Sequence, residues 1–169
     1  MQFETLTREL ALGAEIIGCL AAGFSQADAR IRSAPESWSA LEVIAHLYDE
    51  EREDFRPRLD ITLHRPVGDL PPIDPQGWVT SRRYNERDFE ATLKGFLIER
   101  AKSLAWLEAL EAPDWDSVFV TPFGSIRAGD LLAAWVAHDN LHTRQLVELR
   151  RERLVRMAEP YEVRYAGEW

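Results

Sequence analysis

Four segments of the chain carry the residue spacing of amphipathic helices, and this pattern restricts the fold more than any other feature. Apolar residues recur at intervals of three and four over residues 3–24, 40–57, 84–110 and 127–150. Alternating apolar and polar residues, which indicate half-buried strands, are nearly absent. A chain of 169 residues is long enough for one domain with a substantial core. We therefore expect an all-α four-helix bundle that occupies residues 1–169 as a single domain.

The start of the second predicted helix is marked by a capping signal. In the segment WSALEV, Ser39 is placed to cap the helix, and Glu42, three residues later, completes a capping box. Trp38 before the cap and Val43 at the fourth helical position have the spacing of a hydrophobic staple. The helix is expected to stop near Pro57, because proline interrupts a helix interior.

The connection between the second and third predicted helices is long. Residues 60–83 include the segment GDLPPIDPQGW, which has no helical spacing. A loop of this length in a compact domain is typical of a crossover, a lid or both. If the loop returns the chain along the bundle, helices two and three run parallel, as in bundles with a long crossover. A rigid connector without a lid function is an equally good interpretation.

The remaining connections give weaker signals. Ser125, after the turn-forming segment TPFGS, is a candidate cap of the fourth helix. The tail EPYEVRYAGEW is expected to pair as a short strand or to pack on the end of the bundle, with Trp169 as a packing residue.

Charge and composition limit the possible partners. The formal net charge is -9, and most of the 20 basic residues alternate with acidic ones, which disfavours binding to nucleic-acid phosphates. No apolar run approaches the roughly 20 residues of a membrane span, and the N-terminus lacks the basic region of a signal peptide. The single cysteine, Cys19, lies in an apolar run and cannot form an internal disulfide. We expect a cytoplasmic protein that binds neither nucleic acid nor membranes.

Two histidines on the fourth predicted helix have a spacing that suggests a metal site. On a helical wheel, His138 and His142 lie in the stripe that faces the core, together with Trp135 and Gln145. At positions i and i+4 their rings are neighbours. Two adjacent neutral imidazoles each need partners for both ring nitrogens, and a shared ion would satisfy one nitrogen of each. Asp139, about 100° away around the helix, is expected at the surface.

A third ligand is expected, because two ligands from one helix make a weak site. His46 on the second predicted helix is the candidate, although it lies at the edge of the apolar face and suits a site at the rim of the bundle. Three histidines with an open position match catalytic rather than structural zinc, and imidazole also suits nickel, iron or copper. The open position would take an acidified water, a thiolate or a carbonyl. His64 is interpreted as an exposed loop residue.

Glu50 is the candidate catalytic residue. It lies one turn after His46 on the same face, where a carboxylate could accept a proton or orient a bound water. A solvated helix charge is the alternative interpretation.

The motifs WSALEVIAHLYDEE and AHDNLHTRQL, in this order, resemble those of the DinB/YfiT-like superfamily of bacterial four-helix bundles. The resemblance implies that His46, His138 and His142 bind a divalent metal, with zinc or nickel favoured. It also implies an up-down-down-up bundle with a long crossover after the second helix, and a homodimer. Characterised branches of the family include transferases and isomerases that use a low-molecular-weight thiol as co-substrate, alongside metal-dependent hydrolases, so the substrate is expected to be a small molecule.

Several functions remain open at this level. The first is a metal-dependent enzyme of the thiol S-transferase or hydrolase type, and the second is a non-catalytic, metal-stabilised bundle that binds a ligand or serves a stress response. A third treats HDNLH as a variant of the protease motif His-Glu-x-x-His with Asp139 as the base, but this carboxylate is one methylene shorter. A ferritin-like di-iron site needs two Glu-x-x-His pairs, and the nearest match is the single Asp139-x-x-His142.

Overall fold

The computed structural model describes residues 3–65, 68–121 and 124–169, and four long helical segments form its core. These segments are α1 (Phe3–Ala21), α3 (Ala40–Glu50) with its continuation α4 (Arg56–His64), α6 (Phe89–Glu108) and α7 (Ala128–Ala158). The connections carry the short helices α2 (Gln26–Ala29) and α5 (Pro75–Ser81), and the 3₁₀ turns Tyr84–Glu86 and Arg164–Ala166. None of the helices in the described ranges combines the length and the apolar character that a membrane crossing requires.

The second and third long segments run parallel, as expected for a bundle with a long crossover. The Tyr48 ring on α3 packs against Gly95 on α6. Further along both segments, Arg56 Nη1 on α4 donates to Ser103 Oγ on α6 at 3.2 Å. Contacts that advance in the same direction on both partners require parallel helices.

The first and last helices also run parallel, on the other side of the bundle. Gly13 on α1 faces Asp139 on α7, and Arg150 on α7 donates to the carbonyl of Leu20 at 2.8 Å. Contacts between α3 and α7 follow the reverse order, so these two helices are antiparallel. The order is therefore up-down-down-up, and the predicted fold class is confirmed.

Two apolar clusters fill the bundle, and a polar layer separates them. On α7, Trp135 belongs to one cluster and Leu146 to the other, while Asp139 and His142 lie between them. On α6, Arg100 likewise lies between the residues of the two clusters and is 1% exposed. The layer holds most of the buried charged and histidine side chains. Because burying charged groups is costly, their concentration here indicates a functional site.

The second long segment continues past Pro57, so the predicted end of this helix is wrong. The predicted capping box at its start is present, with Ser39 accepting from the Glu42 amide. A π-helical turn, Glu51–Phe55, joins α3 to α4. Pro57 lies in the first turn of α4, where a missing backbone N–H costs little. π-Turns inside α-helices are frequently found at functional sites.

The chain before and after α7 departs from the prediction. Strands β1 (Val118–Thr121) and β2 (Gly124–Arg127) pair antiparallel in a small hairpin that the sequence pattern did not predict. Ser125 lies in β2, so its predicted capping role is wrong. Residues 122–123 of the predicted turn lie outside the described residues. In the described tail no strand forms, and Trp169 Nε1 donates to Glu148 Oε2 on α7 at 2.6 Å.

The crossover is anchored to α3 by an apolar cluster of Ala45, Trp78, Val79 and Tyr84, and by one buried carboxylate. Asp49 is fully buried and accepts hydrogen bonds from the Tyr84 hydroxyl at 2.9 Å, from Arg82 at 2.8 Å and from Arg87 at 3.1 Å. Burial would raise the pKa of Asp49, but the hydrogen bonds from these partners lower it to about 2. The carboxylate is therefore charged at neutral pH and holds the end of the crossover against the bundle.

Candidate metal centre

The three histidines predicted as ligands converge in the polar layer. His46 comes from α3, and His138 and His142 come from α7. The ring of His142 lies 4.4 Å from that of His138 and 4.8 Å from that of His46, between centroids. One potential ligand atom from each of the three residues lies within 4.8 Å of the other two. The antiparallel packing of α3 on α7 produces this meeting of residues that are far apart in sequence.

The spacing of the ring nitrogens fits a shared cation. His138 Nε2 lies 3.2 Å from His46 Nε2 and 3.1 Å from His142 Nε2. A tetrahedral ion with metal–nitrogen bonds of about 2.0–2.1 Å separates its ligand nitrogens by roughly 3.3 Å. Imidazole nitrogens suit zinc, nickel and other divalent transition metals. The residues present therefore fit a divalent ion, and these three Nε2 atoms are the ones that would hold it.

The electrostatics keep the site in its ligating form. Burial, reinforced by the neighbouring His138, lowers the pKa of His46 from 6.5 to about 3. Burial, followed by the proximity of His138 and His46, lowers the pKa of His142 to about 3 as well. Both rings are therefore neutral at pH 7, and a neutral imidazole is the form that binds a metal.

Glu50 lies at the same focus. Its Oε2 is 3.0 Å from His138 Nε2 and 3.6 Å from His46 Nε2, and the residue is 5% exposed. The interpretation of Glu50 as a solvated helix charge is wrong, because the side chain is buried. A carboxylate in this position can accept a proton from a group bound between the histidines.

The residue that orients His142 is also one that the helical stripe predicted. His142 Nδ1 lies 2.9 Å from Gln145 Oε1, which can only accept, so the Nδ1 proton is donated to the amide. This leaves the Nε2 lone pair of His142 directed at the focus. His46 differs, because its Nδ1 is buried without a hydrogen-bond partner among the described residues. Its ring packs against Trp38 and His142, with both centroid distances at 4.8 Å.

Aromatic side chains wall the site on two sides. The Trp38 ring stacks parallel to that of His142, with centroids 6.2 Å apart. Phe55, from the π-turn, lies 5.1 Å from the His138 ring and stacks on Trp135. The sequence pattern indicated only a packing role for Trp38, since its distance from the histidines depends on the tertiary fold.

A cavity of about 740 Å³ opens above the histidines. Pro75 and Gln76 of α5 form part of its wall, so the crossover contributes to the site. Leu141 and Arg144 line the cavity from α7. The volume is in the range of small-molecule binding sites.

Two predicted positions are corrected by the structure. His46 was expected at an accessible rim, but its side chain is 4% exposed, and the more accessible ligand is His138 at 19%. Asp139 was expected at the surface and is 3% exposed, because α7 is covered by α1 and α6 as well as by α3. Asp139 pairs with Arg100 and faces away from the focus, which excludes the protease-like interpretation of HDNLH. His64 is exposed, as expected, and does not join the cluster.

Comparisons with known proteins agree with this arrangement. The structure of YfiT from Bacillus subtilis, described as "a probable metal-dependent hydrolase with an unusual four-helix bundle topology", matches with a TM-score of 0.78 at 18% identity, over 89% of this chain and 87% of that chain. At this identity the similarity shows the fold. No curated protein matches the sequence. The model of the DinB superfamily matches residues 19–146, a range that includes all three converging histidines. From this match over more than half of its length, the chain belongs to the DinB superfamily.

Proposed function

We propose that this protein is a metal-dependent enzyme that holds one divalent ion, zinc or nickel, through His46, His138 and His142, and that it acts on a small molecule. The observation that carries the proposal is the convergence of three Nε2 atoms beside a buried carboxylate, at the floor of a cavity. A structural site would be closed on all sides, whereas this focus faces an open cavity.

The residues divide the work in a simple way. A divalent ion bound here supplies a Lewis acid that acidifies a water or a thiol. Glu50 Oε2 accepts the proton that is released, since it faces the same focus. Gln145 keeps His142 in the tautomer whose Nε2 is free to ligate. Trp38 and Phe55 restrict the access of bulk water to the histidine rings.

The reaction is proposed to be of the hydrolase or the thiol S-transferase type. Both types need an open coordination position at which a bound water or thiol becomes acidic, and both need a nearby proton acceptor. The same residues would serve either type. The cavity of about 740 Å³ has room for a substrate and a low-molecular-weight thiol together. The two types are separated by assay, with ester and amide substrates for hydrolysis and electrophilic acceptors plus a thiol for transfer.

We also propose that residues 1–169 form a single domain and that the protein is a homodimer. The single domain is supported by the two clusters, which both draw residues from α1, α6 and α7 or their flanks. A dimer is supported by exposed apolar side chains on the α1–α6 side, namely Leu12, Ile16, Leu97 and Ile98. The oligomeric state is tested by light scattering coupled to size-exclusion chromatography.

Metal analysis tests the central proposal. Protein purified without chelators or metal-affinity resin should contain close to one divalent ion per chain, and His142→Ala should lose it while retaining a helical circular dichroism spectrum. His64→Ala is the matched control, since His64 lies outside the cluster, and it should keep the ion. A wild-type protein that contains no ion and binds neither added zinc nor nickel would contradict the proposal. Metal-dependent melting without turnover in any assay would instead support the non-catalytic alternative.

A further inference from the structure

We propose that Arg100 is a positioning residue of the three-histidine site, which fixes the register between α3 and α7 and so sets where the histidine rings meet. This inference rests on the proposed metal-binding function and assigns a role to a residue that does not touch the site itself. Its side chain lies in the polar layer between the two apolar clusters, and it is 1% exposed.

The guanidinium of Arg100 is fully saturated with hydrogen bonds. Nε and Nη2 donate to the two carboxylate oxygens of Glu51 at 2.9 and 3.0 Å. Nη1 and Nη2 donate to the two oxygens of Asp139 at 2.5 and 2.9 Å. Nη1 also donates to the backbone carbonyl of Leu10 at 2.9 Å. Arginine has five N–H donors in a rigid plane, and each of them has an acceptor here, so the geometry of the three partners is fixed by one planar group.

The two carboxylates are the immediate chain neighbours of site residues. Glu51 follows Glu50 at the start of the π-turn, and Asp139 follows His138 on α7. Successive helical side chains point about 100° apart. Glu51 and Asp139 therefore face α6, while Glu50 and His138 face the metal focus. A shift of either helix against Arg100 would move a site residue by the same amount.

The π-turn is tied into the same cluster. Trp135 Nε1 donates to Glu51 Oε2 at 3.1 Å, which adds a second link from α7 to the residue after Glu50. The Trp135 ring stacks on Phe55, with centroids 5.5 Å apart, and Phe55 in turn contacts the His138 ring. Arg100 and Trp135 thus hold both ends of the turn that carries Glu51 and Phe55.

The first helix makes room for the cluster. A Cβ atom on Gly13 would lie 2.6 Å from Asp139 Oδ2, so glycine is the residue that lets α1 approach this carboxylate. With the Leu10 carbonyl as an acceptor, all four long segments of the bundle meet at the Arg100 guanidinium.

The composition of the cluster favours positioning over simple stabilisation. One guanidinium faces two carboxylates, all of them nearly inaccessible to solvent. Replacing such a buried ionic group by apolar residues of similar volume is often neutral or stabilising. Apolar clusters on either side of the layer pack without strong directional preference, whereas two bidentate contacts define one arrangement. A site with three ligands from two helices needs the helices held in one arrangement, and the Arg100 contacts provide this.

Cobalt(II) binding tests the inference, because its absorption spectrum reports the geometry of its ligands. The variants are Arg100→Lys, which keeps the charge but not the planar fork, and Asp139→Asn, which keeps the shape of the acceptor and the Arg100–Glu51 pair. The matched control is Arg56→Lys, since Arg56 also joins α6, through Glu99 and Ser103, but neither partner is next to a histidine. The readouts are the cobalt spectrum, the Kd from competition with a chelator, and the melting temperature of the metal-free protein.

We expect both test variants to bind cobalt 10- to 100-fold more weakly than the wild type, the usual cost of losing a group that supports a metal ligand, with an altered absorption spectrum. Arg56→Lys should lower the melting temperature while leaving the Kd within twofold and the spectrum unchanged. If Arg100→Lys does not fold, Asp139→Asn decides the matter alone.

Two results would overturn the inference, and they are distinguishable. If the wild type binds cobalt and the folded test variants bind it equally well with the same spectrum, Arg100 is a packing residue and the proposed function stands. If the wild type itself binds no cobalt, zinc or nickel, the proposed function is wrong and the positioning role is wrong with it.

Discussion

Glu50 Oε2 lies 3.0 Å from His138 Nε2, and both atoms face the point where the other two histidine rings meet. The pair joins α3 to α7 across 88 positions of the chain, from 50 to 138, and the His46–His138 contact joins the same two helices across 92. A buried carboxylate so close to a cluster of imidazoles is costly unless a cation or a proton is shared among them. This relationship makes Glu50 the residue whose replacement best separates the proposed catalysis from the proposed metal binding.

Replacing Glu50 by Gln should therefore leave the metal in place and remove most of the activity. The amide keeps the size of the side chain but cannot accept a proton, and the loss of a positioned base typically costs a factor of about 10²–10⁴ in rate. Metal content and kcat are measured on the same preparation. Glu90→Gln, on the exposed face of α6, is the control and should behave as the wild type. Equal kcat for Glu50→Gln and the wild type would exclude Glu50 as the base.

The metal-free protein should lose stability as the pH falls below 6.5. In the unfolded chain His46 and His142 bind protons near their ordinary pKa of 6.5, whereas in the folded protein they resist protonation down to about 3. Above pH 6.5 both states hold neutral rings, and through the window from 6.5 to 3 the unfolded state binds more protons, so the free energy of unfolding decreases. Between pH 7.5 and 5.0 we expect a loss of about 2 kcal/mol per histidine.

Urea unfolding in the presence of a chelator measures this dependence. His142→Asn has a side chain that does not titrate, so its loss of stability over the same interval should be about 2 kcal/mol smaller than that of the wild type. An unfolding free energy that is identical at pH 7.5 and 5.0 would show that the rings are protonated in the folded protein at little cost.

Two glycines of α1 should respond in opposite ways to alanine. Gly13→Ala would place a Cβ 2.6 Å from Asp139 Oδ2, and this carboxylate cannot move away because Arg100 holds it. We expect a loss of about 1–3 kcal/mol in the free energy of unfolding. At Gly18 the nearest atom to an added Cβ is Leu97 Cδ2 at 3.8 Å, so alanine fits and should stabilise the helix by about 0.5–1 kcal/mol. Equal effects of the two substitutions in chemical unfolding would contradict this view of the α1–α7 contact.

The anchor of the crossover gives a further prediction. Asp49→Asn should weaken the charge-assisted hydrogen bonds from Arg82, Arg87 and Tyr84 and cost about 2–3 kcal/mol of stability. Amide hydrogen exchange should then rise over residues 75–87, while exchange in the four long helical segments stays slow. Asp69→Asn, in the exposed part of the crossover, is the control. Uniform acceleration over the whole chain would mean that the anchor supports the global fold and not the crossover in particular.

Much of this arrangement could be predicted from the sequence because the signals were local. The capping box at Ser39 and the i, i+4 pair His138 and His142 depend only on residues within one helix, and the structure places both as predicted. The four-helix pattern likewise follows from spacing alone. His46 could be identified as the third ligand candidate, but its burial depends on the packing of Trp38 and α7, which local periodicity does not contain.

The features that escaped prediction depend on distant partners. Arg100 has the appearance of a solvated charge in ERAKS, and its acceptors are 49 and 39 positions away. One signal was available, since Arg100 lies four residues after Phe96 and seven before Leu107, in the inward stripe of α6. Asp139 was misplaced for the same reason. The passage of the helix beyond Pro57 depends on the π-turn, whose hydrogen bonding leaves no simple sequence pattern.

The hydrogen bonds that converge on Asp49 have a consequence for how molecules reach the histidines. They hold the crossover segment that follows Pro75 and Gln76, so this wall of the cavity is fixed by a buried charge and cannot swing outward without stranding that charge away from its partners. We therefore expect a small molecule to approach the histidines along the exposed flank of α7, past Leu141 and Arg144. If the proposed function holds, the width and shape of the opening between α5 and α7 would select which molecules reach the three histidines.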